Sequence, residues 1–163
     1  MSTRDFFNRD PLIVTVRQTI VLVVLPLAMS LPMVRRGWFG DWPGTWNWLS
    51  IIVIIAGFSV FIWCLGLKLV RARGGEGPTQ GYLLVSGPFK FSRNPMFLSV
   101  LIVWLGWTFF YGSISVFLGL AAIWGYMVFV VAPSEERELE ARFGEAYRSY
   151  KSKVPRWIGS GGS

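Results

Sequence analysis

The sequence predicts an all-α, polytopic integral membrane protein, on the evidence of its composition, its hydropathy and its charge distribution. Of the 163 residues, 53% are hydrophobic, more than an ordinary soluble domain carries. Four nearly uncharged stretches approach the roughly 20 residues that a helix needs to cross a bilayer; they are residues 12–34, 46–70, 95–111 and 113–132. We therefore expect residues 1–158 to form one membrane-embedded domain, and residues 159–163 to be an appended linker.

The positions of the basic residues predict the orientation of the chain. If the N-terminus is cytoplasmic, thirteen Lys and Arg residues fall on the inner side and two, Arg35 and Arg36, on the outer side, with Arg17 inside the first helix. This asymmetry is typical of membrane proteins with cytoplasmic basic loops. We expect both termini in the cytoplasm and favour a bacterial inner membrane over the endoplasmic reticulum. Because topology accounts for the net charge of +7, no nucleic-acid partner is expected.

The first two helices are predicted to be joined by an outer loop. Pro26 and Pro32 are expected to kink or end the first helix. A cluster of tryptophans in this region is typical of an interfacial aromatic belt; its members are Trp38, Trp42, Trp46 and Trp48. The second helix is expected to leave the membrane at Lys68, Arg71 and Arg73, which suit a helix C-terminus and anionic headgroups alike.

The third and fourth helices are predicted to form a hairpin. Pro95 suits the first position of a helix, and Tyr111, Gly112 and Ser113 interrupt the apolar run as a tight turn would. The lone Cys64 lies in mid-helix and is expected to be a small buried hydrophobe. We therefore expect neither a disulfide nor a metal site.

The chain becomes amphipathic after the fourth helix. Apolar and aromatic side chains recur there at helical spacing; they are Leu139, Phe143, Tyr147 and Tyr150. Ser134 is expected to cap the N-terminus of a cytoplasmic amphipathic helix, with Glu135 and Glu136 in its first turn. The apolar stripe is expected to pack against the bundle or to lie in the interface.

Two polar segments flank the predicted hairpin and hold the candidate functional residues. The first, residues 87–97, has the sequence GPFKFSRNPMF, and the second, residues 134–139, has the sequence SEEREL. Only residues 98–133 separate them, so a hairpin through the bilayer would bring both segments to the same face. This arrangement predicts a single site built from two segments.

These segments carry two motifs in a fixed order, and the pair resembles a known family. The first motif is GPFKFSRNPMF; the second comprises Glu135, Glu136, Leu139, Phe143, Gly144, Tyr147 and Tyr150, followed by Val154, Pro155 and Arg156. The pair resembles the integral-membrane methyltransferases that include isoprenylcysteine carboxyl methyltransferase and the phospholipid N-methyltransferases. The resemblance covers about residues 81–157. It implies S-adenosylmethionine as cofactor, S-adenosylhomocysteine as product, membrane lipids as surroundings and a lipophilic methyl acceptor.

The resemblance also implies roles for individual residues. Arg93 is expected to hold the cofactor carboxylate, and Glu135 or Glu136 its ribose hydroxyls or ammonium. Aromatic faces favour the sulfonium, and Phe89, Phe91 and Phe97 can provide them. Backbone N–H groups around Gly87 and Phe89 can add donors. The full cofactor-binding set also contains Pro88, Lys90, Asn94 and Pro95, and the catalytic set is Arg93, Asn94, Glu135 and Glu136.

Several alternatives stay open at this stage. The family often has His at position 94, whereas this chain has Asn94 and no histidine at all, so Glu135 or Glu136 is the expected substitute for an imidazole base. The acceptor can be an isoprenylcysteine carboxylate, a phospholipid amine, or a small lipophilic phenol or thiol. A four-helix transporter and a non-catalytic membrane scaffold are the competing functions, and the oligomeric state is open.

Overall fold

The computed structural model describes residues 20–30, 44–73 and 83–158, and every regular element within these ranges is helical. This confirms the all-α fold class. We number the α-helices in chain order: α1 is Leu25–Ser30, α2 is Thr45–Arg73, α3 is Pro95–Tyr111, α4 is Ile114–Tyr126, α5 is Ala132–Phe143 and α6 is Glu145–Lys153. A π-helical turn, Ile20–Val24, precedes α1, another, Met127–Val131, joins α4 to α5, and a 3₁₀ turn spans Gly87–Lys90.

The helices have the length and surface of a membrane protein. Two of them, Thr45–Val70 and Ile114–Phe143, are long and apolar enough to cross a bilayer, and Ile20–Ser30 and Pro95–Tyr111 are shorter apolar helices. Large apolar side chains point away from the rest of the protein; Phe129 is 80% exposed. A helix that is apolar on its outward face as well suits lipid rather than water.

Helices α2 and α3 pack closely because glycines allow their backbones to approach. A Cβ atom added to Gly106 would lie 2.5 Å from Ile54 Cγ1 and 3.1 Å from the Ile54 nitrogen. One added to Gly57 would lie 2.7 Å from Val103 Cγ2. Small residues at such contacts are typical of helix packing in membranes. The core of the bundle forms beside this contact, where Val103 and Trp104 are fully buried.

Two tryptophans of α3 connect it to the helix Ile20–Ser30. Trp104 Nε1 donates a hydrogen bond to the Val21 carbonyl (3.0 Å), and Trp107 Nε1 donates one to the Leu22 carbonyl (2.9 Å). Both carbonyls belong to the π-helical turn Ile20–Val24. The indole donors thus satisfy backbone groups in a region where the bilayer offers none.

The predicted hairpin between the third and fourth helices is confirmed. Gly112 ends α3 in the left-handed conformation (φ 54°, ψ 41°), which favours glycine. Pro95 lies at the start of the same helix, as expected. At the hairpin tip, Asn47 Nδ2 donates a 2.6 Å hydrogen bond to the Phe110 carbonyl, which joins α2 to the end of α3.

The predicted start of the amphipathic helix at Ser134 is wrong. The last apolar helix does not end there but continues through the π-helical turn Met127–Val131 into α5, so that one helix runs over Ile114–Phe143. Ser134 therefore lies inside a helix, where its hydroxyl donates to the Val131 carbonyl (2.8 Å) instead of capping. The break comes at Gly144 (φ 52°), which separates α5 from α6.

The amphipathic stripe itself is as predicted. Tyr147 is 1% exposed, Leu139 and Phe143 are half-buried, and Arg142 and Arg148 point outward. Several expectations fall outside the described residues, namely the position of Arg17, the outer loop with Trp38 and Trp42, and the segment before Leu83.

Candidate functional site

A cavity of about 560 Å³ lies between the helix Ile20–Ser30, α2, α3 and the long helix Ile114–Phe143, which we call the last apolar helix. Its volume is within the range of ordinary small-molecule sites. We call one part the polar end, lined by Lys68, Arg93, Asn94, Ser134, Glu135 and Glu138, and the other the apolar end, lined by Val21, Phe61, Leu65, Val100, Met127 and Val131. Phe89, Pro95, Met96 and Phe97 complete the lining.

The cavity walls formed by α2, α3 and the last apolar helix all change from apolar to polar side chains toward the same end of the cavity. On α2, Phe61, Leu65 and Lys68 share a face at helical spacing, so the cavity becomes charged over a rise of about 10 Å. On the last apolar helix, Ile114–Phe143, Met127 and Val131 precede the acidic residues of the polar end. The antiparallel α3 begins at the polar end and reaches Val100 at the apolar end. The cavity therefore suits an amphipathic ligand, or a polar and an apolar ligand side by side.

Arg93 brings a guanidinium to the polar end of the cavity. Its side chain is 11% exposed, and its Nε and Nη1 atoms are buried with no hydrogen-bond partner among the described residues. The nearest carboxylate, that of Glu136, lies 3.2 Å from Nη1 as an ion pair. The Tyr147 hydroxyl also interacts with this guanidinium, so Arg93 lines the cavity while it is held by polar neighbours.

Glu136 is the centre of a cluster of cations. Arg156 donates to it twice, from Nε to Oε1 (2.7 Å) and from Nη2 to Oε2 (2.9 Å). Arg93 approaches Oε1 and Lys151 Nζ lies 3.8 Å from Oε2. The carboxylate is nearly buried, with 7% of its side chain exposed. Such a forked arginine pair fixes orientation as well as charge, and the cluster holds Arg93 in place.

The C-terminal segment is bonded to the first polar segment by backbone groups. Arg93 N donates to the Pro155 carbonyl (2.9 Å), and Ser92 Oγ donates to the Arg156 carbonyl (3.0 Å). The Tyr150 hydroxyl donates a 2.6 Å hydrogen bond to the Phe89 carbonyl. These bonds fold residues 147–157 against the Gly87–Lys90 turn, so the distant end of the chain helps to shape the site.

The two tyrosines of α6 are held in their neutral form. Burial raises the pKa of Tyr150 to about 12, with a further contribution from the adjacent Tyr147. Burial also raises the pKa of Tyr147, and the neighbouring Arg93 guanidinium partly opposes that rise. The hydrogen bond to Glu136 raises the pKa of Arg156 above its ordinary value. Neutral phenols and a charged guanidinium are the forms that these contacts require.

The structure brings some of the predicted site residues to the cavity and leaves others away from it. Those that line the cavity are Phe89, Arg93, Asn94, Pro95, Phe97 and Glu135, and those that do not are Gly87, Pro88, Lys90, Phe91 and Glu136. Phe91 is 72% exposed, which suits a membrane-facing side chain better than a cofactor wall. The Phe89 N–H donates to the Ser86 carbonyl (3.3 Å), so the expected free donor there is already used.

Four charged residues around this site have no role in it that the sequence predicts. Lys68 and Glu138 line the cavity, and Lys151 and Arg156 surround Glu136. Arg156 follows the second motif directly in the sequence, which is a usable signal. Lys68 is preceded at helical spacing by Leu65 and Phe61, but that pattern alone does not show which face of α2 borders a cavity.

Comparison with known proteins identifies the family. The family model described as phospholipid methyltransferase matches residues 48–146, more than half of the chain. The chain belongs to this family. It is also 38% identical over 69 residues to an "Uncharacterized protein" of Haemophilus influenzae (strain ATCC 51907 / DSM 11121 / KW20 / Rd), covering 39% of this chain and all of that protein. No solved structure matches the chain significantly.

The matched region includes α2 from Trp48 onward, both polar segments and the hairpin between them. The family supports methyltransferase activity on a lipid-type substrate in a membrane. Tyr147, Tyr150, Lys151 and Arg156 lie beyond the matched residues. Their place in the site is therefore evident from the structure rather than from the family.

Proposed function

We propose that the protein transfers a methyl group from S-adenosylmethionine to a lipophilic or lipid-linked acceptor at the cytoplasmic face of the membrane. The observation that carries this proposal is the shared polarity of the cavity walls, which provides charged groups at one end and apolar side chains at the other. A polar cofactor and an apolar acceptor can meet in such a cavity. The family supports the reaction class, and the charge asymmetry of the sequence supports the cytoplasmic orientation.

The residues of the polar end fit this cofactor. The Arg93 guanidinium, which lines the cavity, suits a carboxylate, and the oxygens of Glu135 or Glu138 suit an ammonium or a ribose diol. The Asn94 side chain provides both a donor and an acceptor. Phe89 and Phe97 provide aromatic faces, which favour a sulfonium. When bound, S-adenosylmethionine supplies an electrophilic methyl group on a positively charged sulfur.

The protein's part in the reaction is to position the reactants and to limit water. Phe61, Leu65 and Val100 line the apolar end, where they can hold the acceptor's chain. Proximity and orientation within one cavity remove much of the entropic cost of bringing two reactants together. Apolar walls also reduce the hydration of a nucleophile.

The two adjacent glutamates have different roles in this proposal. Glu136 is occupied by Arg156, Arg93 and Lys151, so we assign it as a positioning residue for Arg93. Glu135 lines the cavity and forms no ion pair within the described part of the chain. A carboxylate acceptor needs no base, whereas a phenol or a protonated amine does, and Glu135 is the residue we assign to that task.

The proposal is tested by following the transferred methyl group. Membranes containing the protein are incubated with S-adenosylmethionine labelled on the methyl group, and the label is counted in the lipid extract. We expect incorporation in the wild type and a loss of at least about tenfold in Glu135→Gln, which corresponds to about 1.4 kcal/mol of activation free energy. The matched control is Glu145→Gln, whose side chain is 85% exposed. No incorporation by the wild type would contradict the proposed reaction, and equal incorporation by all three proteins would contradict the role assigned to Glu135.

A further inference from the structure

The first polar segment and the segment after α6 lie against each other at the end of the bundle where α3 begins. Ser92 Oγ donates a hydrogen bond to the Arg156 carbonyl (3.0 Å), and Asn94 Nδ2 donates one to the same oxygen (3.5 Å). Phe91 and Ile158 are close neighbours of these bonded residues in the sequence, so the chain cannot carry them far from the contact. The two side chains therefore belong to one region of the surface.

This region lies where the apolar helices end. A Cβ atom added to Gly87 would lie 2.7 Å from Leu67 Cδ1 and 3.7 Å from the Trp63 ring, so the turn that contains Gly87 packs on α2. Trp63 is 56% exposed and belongs to the apolar helix Thr45–Val70, and exposed tryptophans are enriched at membrane interfaces. The apolar helix α3 begins shortly after the same turn. The turn is thus at the level where a bilayer meets water.

Large apolar side chains and cations are exposed together in this region. Phe91 is 72% exposed and Ile158 is 75% exposed. Lys90 directly precedes Phe91, and Lys153 ends α6 just before the segment that carries Ile158; both lysines are exposed. Apolar side chains beside lysines are typical of protein surfaces that lie in the interface of a membrane. We call these four residues the interfacial surface.

The two lysines of the interfacial surface have no acidic partner. No ion pair joins either of them to a carboxylate in the part of the chain that the structure describes. The carboxylate of Glu140 is taken by Arg148 (3.1 Å) and Lys151 (3.4 Å). Helical spacing places Lys151 and Lys153 on opposite sides of α6, so Lys153 lies away from that carboxylate. The positive charge of the surface therefore suits an anionic partner outside the protein.

We propose that the interfacial surface binds anionic phospholipids of the bilayer that surrounds the protein. Phe91 and Ile158 insert at the boundary between headgroups and acyl chains, and Lys90 and Lys153 pair with the lipid phosphates. Both segments that build the polar end of the cavity are thereby held at one depth in the membrane. This lipid contact lies outside the cavity and does not depend on the methyl transfer proposed above.

Spin labels on single cysteines test the depth of the surface. The labelled variants are Phe91→Cys, Ile158→Cys and, as the control, Ser149→Cys, whose side chain is exposed on α6. Cys64, the one cysteine of the chain, is fully buried, so the wild type treated with the same reagent gives the background. The proteins are reconstituted in vesicles of equal parts dioleoyl phosphatidylcholine and dioleoyl phosphatidylglycerol. Relaxation of each label by oxygen, which partitions into lipid, is compared with relaxation by a water-soluble nickel complex.

We expect the labels at positions 91 and 158 to respond mainly to oxygen and the label at position 149 to respond mainly to nickel. Equal access of nickel to all three positions overturns the inference, because the surface would then face water. Labels at positions 91 and 158 that neither reagent reaches also overturn it, because a second copy of the chain or another protein would then cover the surface.

A second measurement tests the preference for anionic headgroups. A fluorophore attached to Ile158→Cys is quenched by phosphatidylglycerol or by phosphatidylcholine carrying the same doxyl-labelled acyl chain. The attachment site is combined with Lys90→Gln, with Lys153→Gln or, as a charge-matched control, with Arg148→Gln, because the exposed Arg148 is already paired with two glutamates.

We expect phosphatidylglycerol to be the preferred quencher. The preference should fall about fivefold with either lysine substitution and persist in Arg148→Gln. Equal quenching by the two lipids, or an equal loss of preference in Arg148→Gln, overturns the inference. Either result leaves the proposed methyl transfer intact.

Discussion

Arg156 donates two hydrogen bonds, of 2.7 and 2.9 Å, to the Glu136 carboxylate, although the two residues are 20 positions apart and on opposite sides of the break at Gly144. The pair connects the segment after α6 to the last apolar helix, Ile114–Phe143. Because Glu136 also contacts Arg93, a residue beyond the family match supports the guanidinium that we assign to the cofactor. The segment that follows α6 is thus bonded to the site through Arg156.

Replacing Arg156 should weaken both the fold and the site. Arg156→Ala removes two charge-assisted hydrogen bonds from a nearly buried carboxylate, and we expect a loss of about 1–3 kcal/mol of stability. S-adenosylhomocysteine affinity should fall as well, because Arg93 loses its support. The matched control is Arg148→Ala, whose pairs with Glu140 and Glu145 are exposed and should contribute less than about 1 kcal/mol. Melting followed by tryptophan fluorescence compares the two; equal effects would contradict the account.

Tyr150→Phe should make the site less stable and change its response to alkaline pH. The variant loses the 2.6 Å hydrogen bond to the Phe89 carbonyl, which contributes about 1 kcal/mol. The folded protein raises the pKa of Tyr150 to about 12, above the ordinary value of about 10. The folded state therefore holds this proton more tightly than the unfolded state does.

The sign of the pH effect follows from that difference. The contribution of Tyr150 is fully present below pH 10 and is lost as the pH rises through about 12. Wild-type melting temperature should fall more steeply than that of Tyr150→Phe over this interval. Parallel curves for the two proteins would show that the hydroxyl of Tyr150 has no such role.

Substitutions of Glu135 and Glu136 should have different effects on stability and on cofactor binding. Glu136→Gln leaves three cations around a neutral amide and should cost about 3 kcal/mol of stability. Glu135→Gln should leave the melting temperature nearly unchanged, since Glu135 has no close cationic partner among the described residues. Equal destabilisation by both substitutions would argue against the division of roles proposed here.

Gly106→Ala should destabilise the bundle at the contact between α2 and α3. The added Cβ would meet Ile54 Cγ1 at 2.5 Å and its backbone nitrogen at 3.1 Å, and overpacking of this kind costs about 1–3 kcal/mol. Gly125→Ala is the matched control, because nothing lies within 4 Å of its added Cβ. Alanine is the better helix former there, so the control should be neutral or slightly stabilising.

The sequence predicts this fold well because hydropathy and turn residues define each helix locally. The apolar runs predict α2, α3 and α4, and Gly112 and Pro95 mark helix ends that the structure reproduces. The error at Ser134 has a physical reason. A serine before two acids is also compatible with a helix interior, where its hydroxyl donates to the Val131 carbonyl. Pro133 lies just after the π-helical turn Met127–Val131, and neither glycine nor proline occurs between Ser134 and Gly144.

The site is predicted only in outline, because its details depend on which side of each helix borders the cavity. The two polar segments are predicted to come together, and Arg93 and Glu136 do meet at 3.2 Å. Which of two adjacent glutamates faces the cavity depends on the rotation of α5, which the spacing of SEEREL does not determine. The same holds for Lys68, whose cavity contact arises from the packing of α2 against α3.

Titration calorimetry can show whether this cavity binds the cofactor. S-adenosylhomocysteine is titrated into the detergent-purified wild type, Glu135→Gln and the exposed control Glu145→Gln. We predict micromolar binding by the wild type and the control, and binding at least about tenfold weaker by Glu135→Gln. No binding by a folded wild type, or equal binding by all three proteins, would contradict the claim.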